Sequence, residues 1–131
     1  MTTPTFVLTN HKGGVGKTTS ATNIALGLVQ VLRHIKARKT RVLLIDTDSQ
    51  AHATLVTTGS SNYGTDDSLY TVLMSDRDAA AQTLSQVIVP SKWDTDLHVL
   101  PASPKLEQAE RELQGTAGAP YRLSDPLAKI A

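Results

Sequence analysis

Cysteine is absent from this 131-residue chain, which removes disulfides, cysteine nucleophiles and thiolate metal sites together. No apolar run approaches the roughly 20 residues that span a bilayer. The segment from Met1 to Asn10 has no charged stretch followed by an apolar one, so the chain reads as cytoplasmic, without a membrane partner. An excess of one charge sign is also missing. Lys and Arg number 13 against 12 Asp and Glu, for a net charge of +1, and such a balance is no general footprint for nucleic acid. The four histidines, at 11, 34, 52 and 98, fall at no metal-ligand spacing and read as surface or loop residues. With 40% hydrophobic residues and a mean hydropathy of −0.16, the chain can bury one modest core.

What is present is more specific. The octet Lys12-Gly13-Gly14-Val15-Gly16-Lys17-Thr18-Thr19 lies between a β-prone run, Thr5-Phe6-Val7-Leu8-Thr9, and a helical pattern in which Ile24, Ala25, Leu28, Val31, Leu32 and Ile35 recur. Glycines lacking Cβ let successive backbone N–H groups turn onto an anion, and the following helix adds its positive end. Lys17 is then placed for the β- and γ-phosphates, Thr18 for Mg²⁺, and Thr19 for the α-phosphate. The competing reading is a glycine turn that binds nothing. The order strand, loop, Lys-Thr, helix favours the nucleotide. His11 occupies the position where the strict Walker A pattern has glycine, and Lys12 is an additional lysine.

Val42-Leu43-Leu44-Ile45 reads as a buried strand that ends on Asp46, with Asp48 two residues beyond. An aspartate at a strand end is a common turn residue, but beside a phosphate loop its carboxylate can hold a Mg²⁺-bound water. Residues 57–67 have the composition of an exposed linker. Ser68 to Met74 reads as a short helix, and Asp76-Arg77-Asp78 as the cap of another through Leu84. Val87-Ile88-Val89-Pro90 is β-prone, Leu97 to Leu100 reads as a further strand, Leu106, Ala109, Glu110 and Leu113 as a helix, and residues 115–120 as a break before a terminal helical piece. Arg33, His34, Lys36, Arg38, Lys39 and Arg41 cluster after the first helix with no acid among them. They read chiefly as a solvated turn that complements the helix dipole, with a DNA- or membrane-facing patch as the other reading.

The run from Asn10 to Thr19 resembles the deviant Walker A box of the ParA/MinD ATPases, whose mark is a lysine before the glycine pair. The block Val42-Leu43-Leu44-Ile45-Asp46-Thr47-Asp48-Ser49-Gln50-Ala51-His52-Ala53-Thr54-Leu55 resembles the ParA strand and switch I segment, which ends in Asp-x-Asp-Pro-Gln and then a small-residue stretch. Leu97-His98-Val99-Leu100-Pro101-Ala102-Ser103-Pro104 is similar to a third family segment. Ser49 stands where the family usually has proline, and His11 where glutamine is common. The family's switch II strand, ending in Asp-x-x-Pro, does not occur, so residues 1–131 read as the N-terminal half of such a domain. The absence of cysteine argues against the iron–sulfur relatives of the fold.

The resemblance implies an α/β fold of the P-loop NTPase type, a parallel sheet flanked by helices. It implies ATP and ADP as ligands, Mg²⁺ as cofactor, and Asp48 as the residue that orients the attacking water. Lys12 would cross a homodimer interface to the partner's nucleotide, in the manner of an arginine finger. The catalytic set is therefore Lys12, Lys17 and Asp48. The cradle runs through Gly13, Gly14, Val15, Gly16, Lys17, Thr18 and Thr19, and the metal residues are Thr18 and Asp46. The leading function is a ParA-type ATPase for plasmid or chromosome partition: an ATP-dependent dimer on non-specific DNA, associated with the nucleoid and stimulated by a ParB-like centromere-binding partner. A MinD-like or other cargo-positioning ATPase is the second, and a nucleotide-binding module without turnover the third. No Asn-Lys-x-Asp motif occurs, so guanine selectivity is not expected. With switch II missing, turnover by these residues alone is expected to be very slow or absent.

Overall fold

The computed structural model describes residues 3–9, 16–35 and 40–130. After α1 (Lys17–His34) the chain enters β1 (Val42–Ile45), continues through α2 (His52–Thr58), α3 (Leu69–Met74) and α4 (Ala80–Val87), and forms β2 (Val89–Pro90) and β3 (Leu97–Leu100). It ends in α5 (Leu106–Leu113) and α6 (Tyr121–Ile130).

The sheet has 3 strands in the order β1-β3-β2. Val42 is paired with Leu97 and Ile45 with Leu100 in a parallel ladder, while Val89 faces Val99 in an antiparallel one. A parallel neighbour requires a long crossover, and here it is supplied by α2, α3, α4 and β2. Pro90 has no N–H to donate, which suits the edge strand it occupies.

Alternation along the strands sends side chains to two cores. Leu44 and Leu97 join Ala25, Val29 and Ala53 on the face covered by α1 and α2. Leu100, with Leu43 and Ile45, meets Leu69, Val72, Leu84, Val87 and Leu106 on the face covered by α3 to α6. A sheet buried on both sides by helices is the architecture expected of α/β proteins.

Three elements depart from the sequence expectation. The run Thr5-Phe6-Val7-Leu8-Thr9 is not a strand, and its Phe6 and Val7 are 68% and 80% exposed. A strand needs a lateral partner, and both ladders of the described sheet are made among β1, β2 and β3. Second, α2 extends through Thr57 and Thr58, residues assigned to the linker. Its β-branched residues disfavour helix intrinsically, but the Thr57 hydroxyl donates to Ala53 O at 2.6 Å and that of Thr58 to Thr54 O at 2.7 Å. Gly59 then closes the helix with φ 80°, its N–H on Leu55 O. Third, α4 starts at Ala80 and not on the Asp76-Arg77-Asp78 run, which forms a turn from Asp76 O to the Ala79 N–H.

The basic cluster is partly neutralised. Arg33 is bidentate to Asp94, at 2.7 and 3.1 Å, and reaches Asp96 at 2.7 Å, tying the end of α1 to the turn before β3. The guanidinium, together with the Asp96 N–H, holds the Asp94 carboxyl below its usual range, and the two carboxylates push the arginine up.

Candidate nucleotide site

Gly16 adopts φ 82° and ψ 18° immediately before α1, a left-handed conformation in which side chains are strained. A Cβ there would meet nothing within 4 Å among the described residues, and the requirement for glycine that they show is its backbone angles. The Ser20 N–H donates to Gly16 O at 2.8 Å, the first bond of the helix. The N–H groups of Lys17, Thr18 and Thr19 therefore lie ahead of the intrahelical ladder. No acidic residue stands in the first turn of α1, so the positive end of the dipole is not neutralised from within the helix. Lys17 and Thr19 are exposed and Thr18 is half-buried. Behind them the buried Thr22 hydroxyl donates to Thr18 O at 3.0 Å and lies 3.2 Å from Thr19 O, which ties down this turn. Lys12, Gly13, Gly14 and Val15 lie outside the described residues, as does His11.

The carboxylate side is built differently. Asp46 follows β1 directly and is 5% exposed. Its Oδ2 accepts the Thr54 N–H at 2.8 Å and the Thr54 hydroxyl at 2.7 Å, while Oδ1 accepts the Asp48 N–H at 3.1 Å. Bonds to a charged acceptor contribute about 1.5–3 kcal/mol each and offset the several kcal/mol that desolvating a carboxylate costs. Asp48 is half-buried. Its Oδ1 accepts the Gln50 N–H at 3.0 Å, and its carbonyl accepts the Ala51 N–H at 2.9 Å. This turn is closed by Ala51 at φ 56°, 1% exposed, the one non-glycine residue at positive φ among those described. Ser49 reaches across to α5, donating to Glu107 Oε1 at 3.1 Å.

Helix α1 packs along β1 and against α2, so the first turn carrying Lys17 and Thr18 and the loop carrying Asp46 and Asp48 belong to one packed unit. Mg²⁺ takes oxygen ligands and is usually held by one or two protein groups together with phosphates, not in an all-protein cage. The residues fit that pattern. A hydroxyl on the helix and a fixed carboxylate are present, and among the described residues no group of three His, Cys, Asp or Glu forms a cage. No described helix is long and apolar enough to cross a membrane.

Sequence reasoning passed over Thr22, and it included Thr54 in the switch I block without giving it a role of its own. Both are buried threonines on helices, and the faint signal for them is a hydroxyl residue at an inward-facing helical position.

A family model described as an AAA domain matches residues 3–131. The chromosome partitioning protein ParA of Caulobacter vibrioides is 39% identical over 129 residues, covering 95% of this chain and 42% of the relative. Its counterpart from Myxococcus xanthus is 34% identical over 124 residues, covering 95% and 39%. A solved structure described as cobyrinic acid a,c-diamide synthase from Mycobacterium smegmatis, with bound ATP analog and magnesium, superposes with a TM-score of 0.68 at 33% identity, over 93% of this chain and 44% of that one. The chain thus spans about two fifths of the length of these relatives. With the AAA-domain match running from residue 3 to 131 and partition proteins among the relatives, the chain belongs to this family as a ParA-like P-loop protein.

Proposed function

We propose that this chain carries the nucleotide-binding part of a ParA-type ATPase that partitions plasmid or chromosomal DNA. The observation that carries the reading is the pairing of an α1 N-terminus without an acidic residue in its first turn, opened by left-handed Gly16 and carrying Lys17-Thr18, with a carboxylate fixed at the end of the strand beside it. Such a pair suits a triphosphate and its divalent cation.

Backbone N–H groups from Gly13 to Thr19 cradle the phosphates, and Lys17 balances charge on the γ-phosphoryl group. Thr18 and Asp46 would hold Mg²⁺, which would supply positive charge to the phosphates. Asp48 orients the attacking water. Water adds to the γ-phosphorus as the bond to the β-bridging oxygen breaks, giving ADP and phosphate. Lys12 acts on the nucleotide of a second copy, which makes dimerisation depend on ATP. The ATP-bound dimer rests on non-specific DNA in the nucleoid and is released when a ParB-like partner stimulates hydrolysis.

A second reading is favoured by the likeness to the protein described as a cobyrinic acid a,c-diamide synthase. There the same nucleotide site would serve a synthase. Retention of the complete protein on duplex DNA of arbitrary sequence separates the two. The partition reading expects retention with ATP and Mg²⁺ but not with ADP. Tight ATP binding with equal, negligible DNA retention in both states would favour the synthase.

A further inference from the structure

We propose that Thr54 is a positioning residue for the metal-side carboxylate, and that its hydroxyl ties Asp46 to the loop after β3. The inference rests on the reading of Asp46 as the carboxylate on the Mg²⁺ side. Thr54 is completely buried, and its side chain works in two directions at once. The hydroxyl donates to Asp46 Oδ2 at 2.7 Å and accepts the Ala102 N–H at 2.9 Å, while its own backbone N–H donates to the same Oδ2 at 2.8 Å.

A threonine hydroxyl has one proton to give, and the Ala102 donor settles where it goes. With one lone pair occupied by that N–H, the proton is directed to Asp46. Among the described residues the carboxylate therefore receives two bonds on Oδ2 and one on Oδ1, from Asp48. Oδ1 is thus the oxygen with capacity left for a further partner, and it is the oxygen on the Asp48 side. Partners of this kind fix the orientation of a metal-side group, and losing one typically weakens metal affinity by 10–100-fold.

The same hydroxyl joins three parts of the fold. Asp46 ends β1, Thr54 lies in α2, and Ala102 follows β3 within a buried Pro101-Ala102-Ser103 segment. That segment in turn accepts the first N–H groups of two helices on the opposite face, Leu69 onto Pro101 O at 2.8 Å and Leu106 onto Ser103 O at 3.0 Å.

The test compares wild type, Thr54→Val, Thr54→Ser and Asp46→Asn by the ratio of ADP affinities with Mg²⁺ and with EDTA, measured by calorimetry below the unfolding transition. A merely structural role would change both affinities together and leave the ratio unmoved. The expected result is a ratio reduced about tenfold or more in Thr54→Val, restored in Thr54→Ser, and reduced in Asp46→Asn. A normal ratio in Thr54→Val with a reduced one in Asp46→Asn would overturn the role of Thr54 alone. A normal ratio in Asp46→Asn, or no Mg²⁺ dependence in wild type, would overturn the metal-side reading of Asp46 and this inference with it. If Thr54→Val does not fold, Thr54→Ser against Thr54→Ala supplies the same comparison.

Discussion

The two sides of the candidate site are made of opposite materials. On the α1 side the working groups are exposed or half-exposed: Lys17, Thr18 and Thr19 stand on a helix end whose first N–H groups precede its ladder. On the β1 side Asp46 is buried and receives three hydrogen bonds from the protein. The lesson is a division of labour. On the proposed reading the phosphate side contributes little to folding and would be completed by a ligand, whereas the carboxylate side is held by the chain and leaves one oxygen for a further partner.

That contrast can be broken most directly at Asp46. Asp46→Ala leaves the Thr54 and Asp48 N–H groups and the Thr54 hydroxyl without their acceptor, at about 1–3 kcal/mol for each buried group left unmade. A destabilisation of about 3 kcal/mol or more is expected in chemical denaturation, a large part of the stability of an ordinary domain. Lys17→Ala, on the other side, should stay within about 0.5 kcal/mol of wild type, as exposed substitutions do. Equal losses in the two variants would erase the distinction.

Ala51 sharpens it next. Its φ of 56° lies where a branched side chain is an outlier, and its burial leaves no room to relax. Ala51→Val should cost about 2 kcal/mol or more, and because the turn it closes carries Asp48, turnover should fall further than nucleotide affinity. In a complete protein that turns ATP over, Asp48→Ala should leave nucleotide affinity within about twofold while turnover falls by at least about 100-fold. Wild-type turnover in this variant would remove Asp48 from the mechanism.

The smallest effect lies away from both sides. Arg33 holds the Asp94 carboxyl below its usual range. A depressed carboxyl stabilises the fold above the ordinary carboxylate pKa and loses that contribution as pH falls through the depressed value. Acidification below about pH 4 should thus release the clamp between α1 and the turn before β3. Arg33→Met should flatten that part of a stability-against-pH curve, with the curves converging at the acid end. A parallel offset at every pH would contradict the assignment.

Much of the frame was legible in the sequence. Helix α1 forms where Ile24, Ala25, Leu28, Val31, Leu32 and Ile35 recur, although Ile24, Val31 and Ile35 are exposed and Ile35 lies past its end, and the unbroken runs at 42–45 and 97–100 form strands. Their signals are local, because each run carries its own burial pattern. The failures have a common physical cause. Residues 5–9 have β-prone side chains, but such propensity expresses a fit to neighbouring strands, and no local pattern says whether a neighbour is there. Helix α2 contradicts its own propensities; Ala53, Thr54, Thr57 and Thr58 are buried against the rest of the fold, and such packing outweighs propensity. The site divides in the same way. Lys17-Thr18 and Asp46 could be read from a loop and a strand end, but the Thr54 contact to Ala102 joins residues 48 apart in the chain, and no spacing rule reaches that far.

The central claim is that a nucleoside triphosphate and Mg²⁺ bind between the α1 N-terminus and Asp46. Calorimetric titration of ATP into wild type and Lys17→Ala, with and without Mg²⁺, tests it most directly. Saturable binding that Mg²⁺ strengthens in wild type, and that is lost in a Lys17→Ala protein of unchanged thermal stability, is the predicted result. Equal ATP affinity in the two proteins would contradict it.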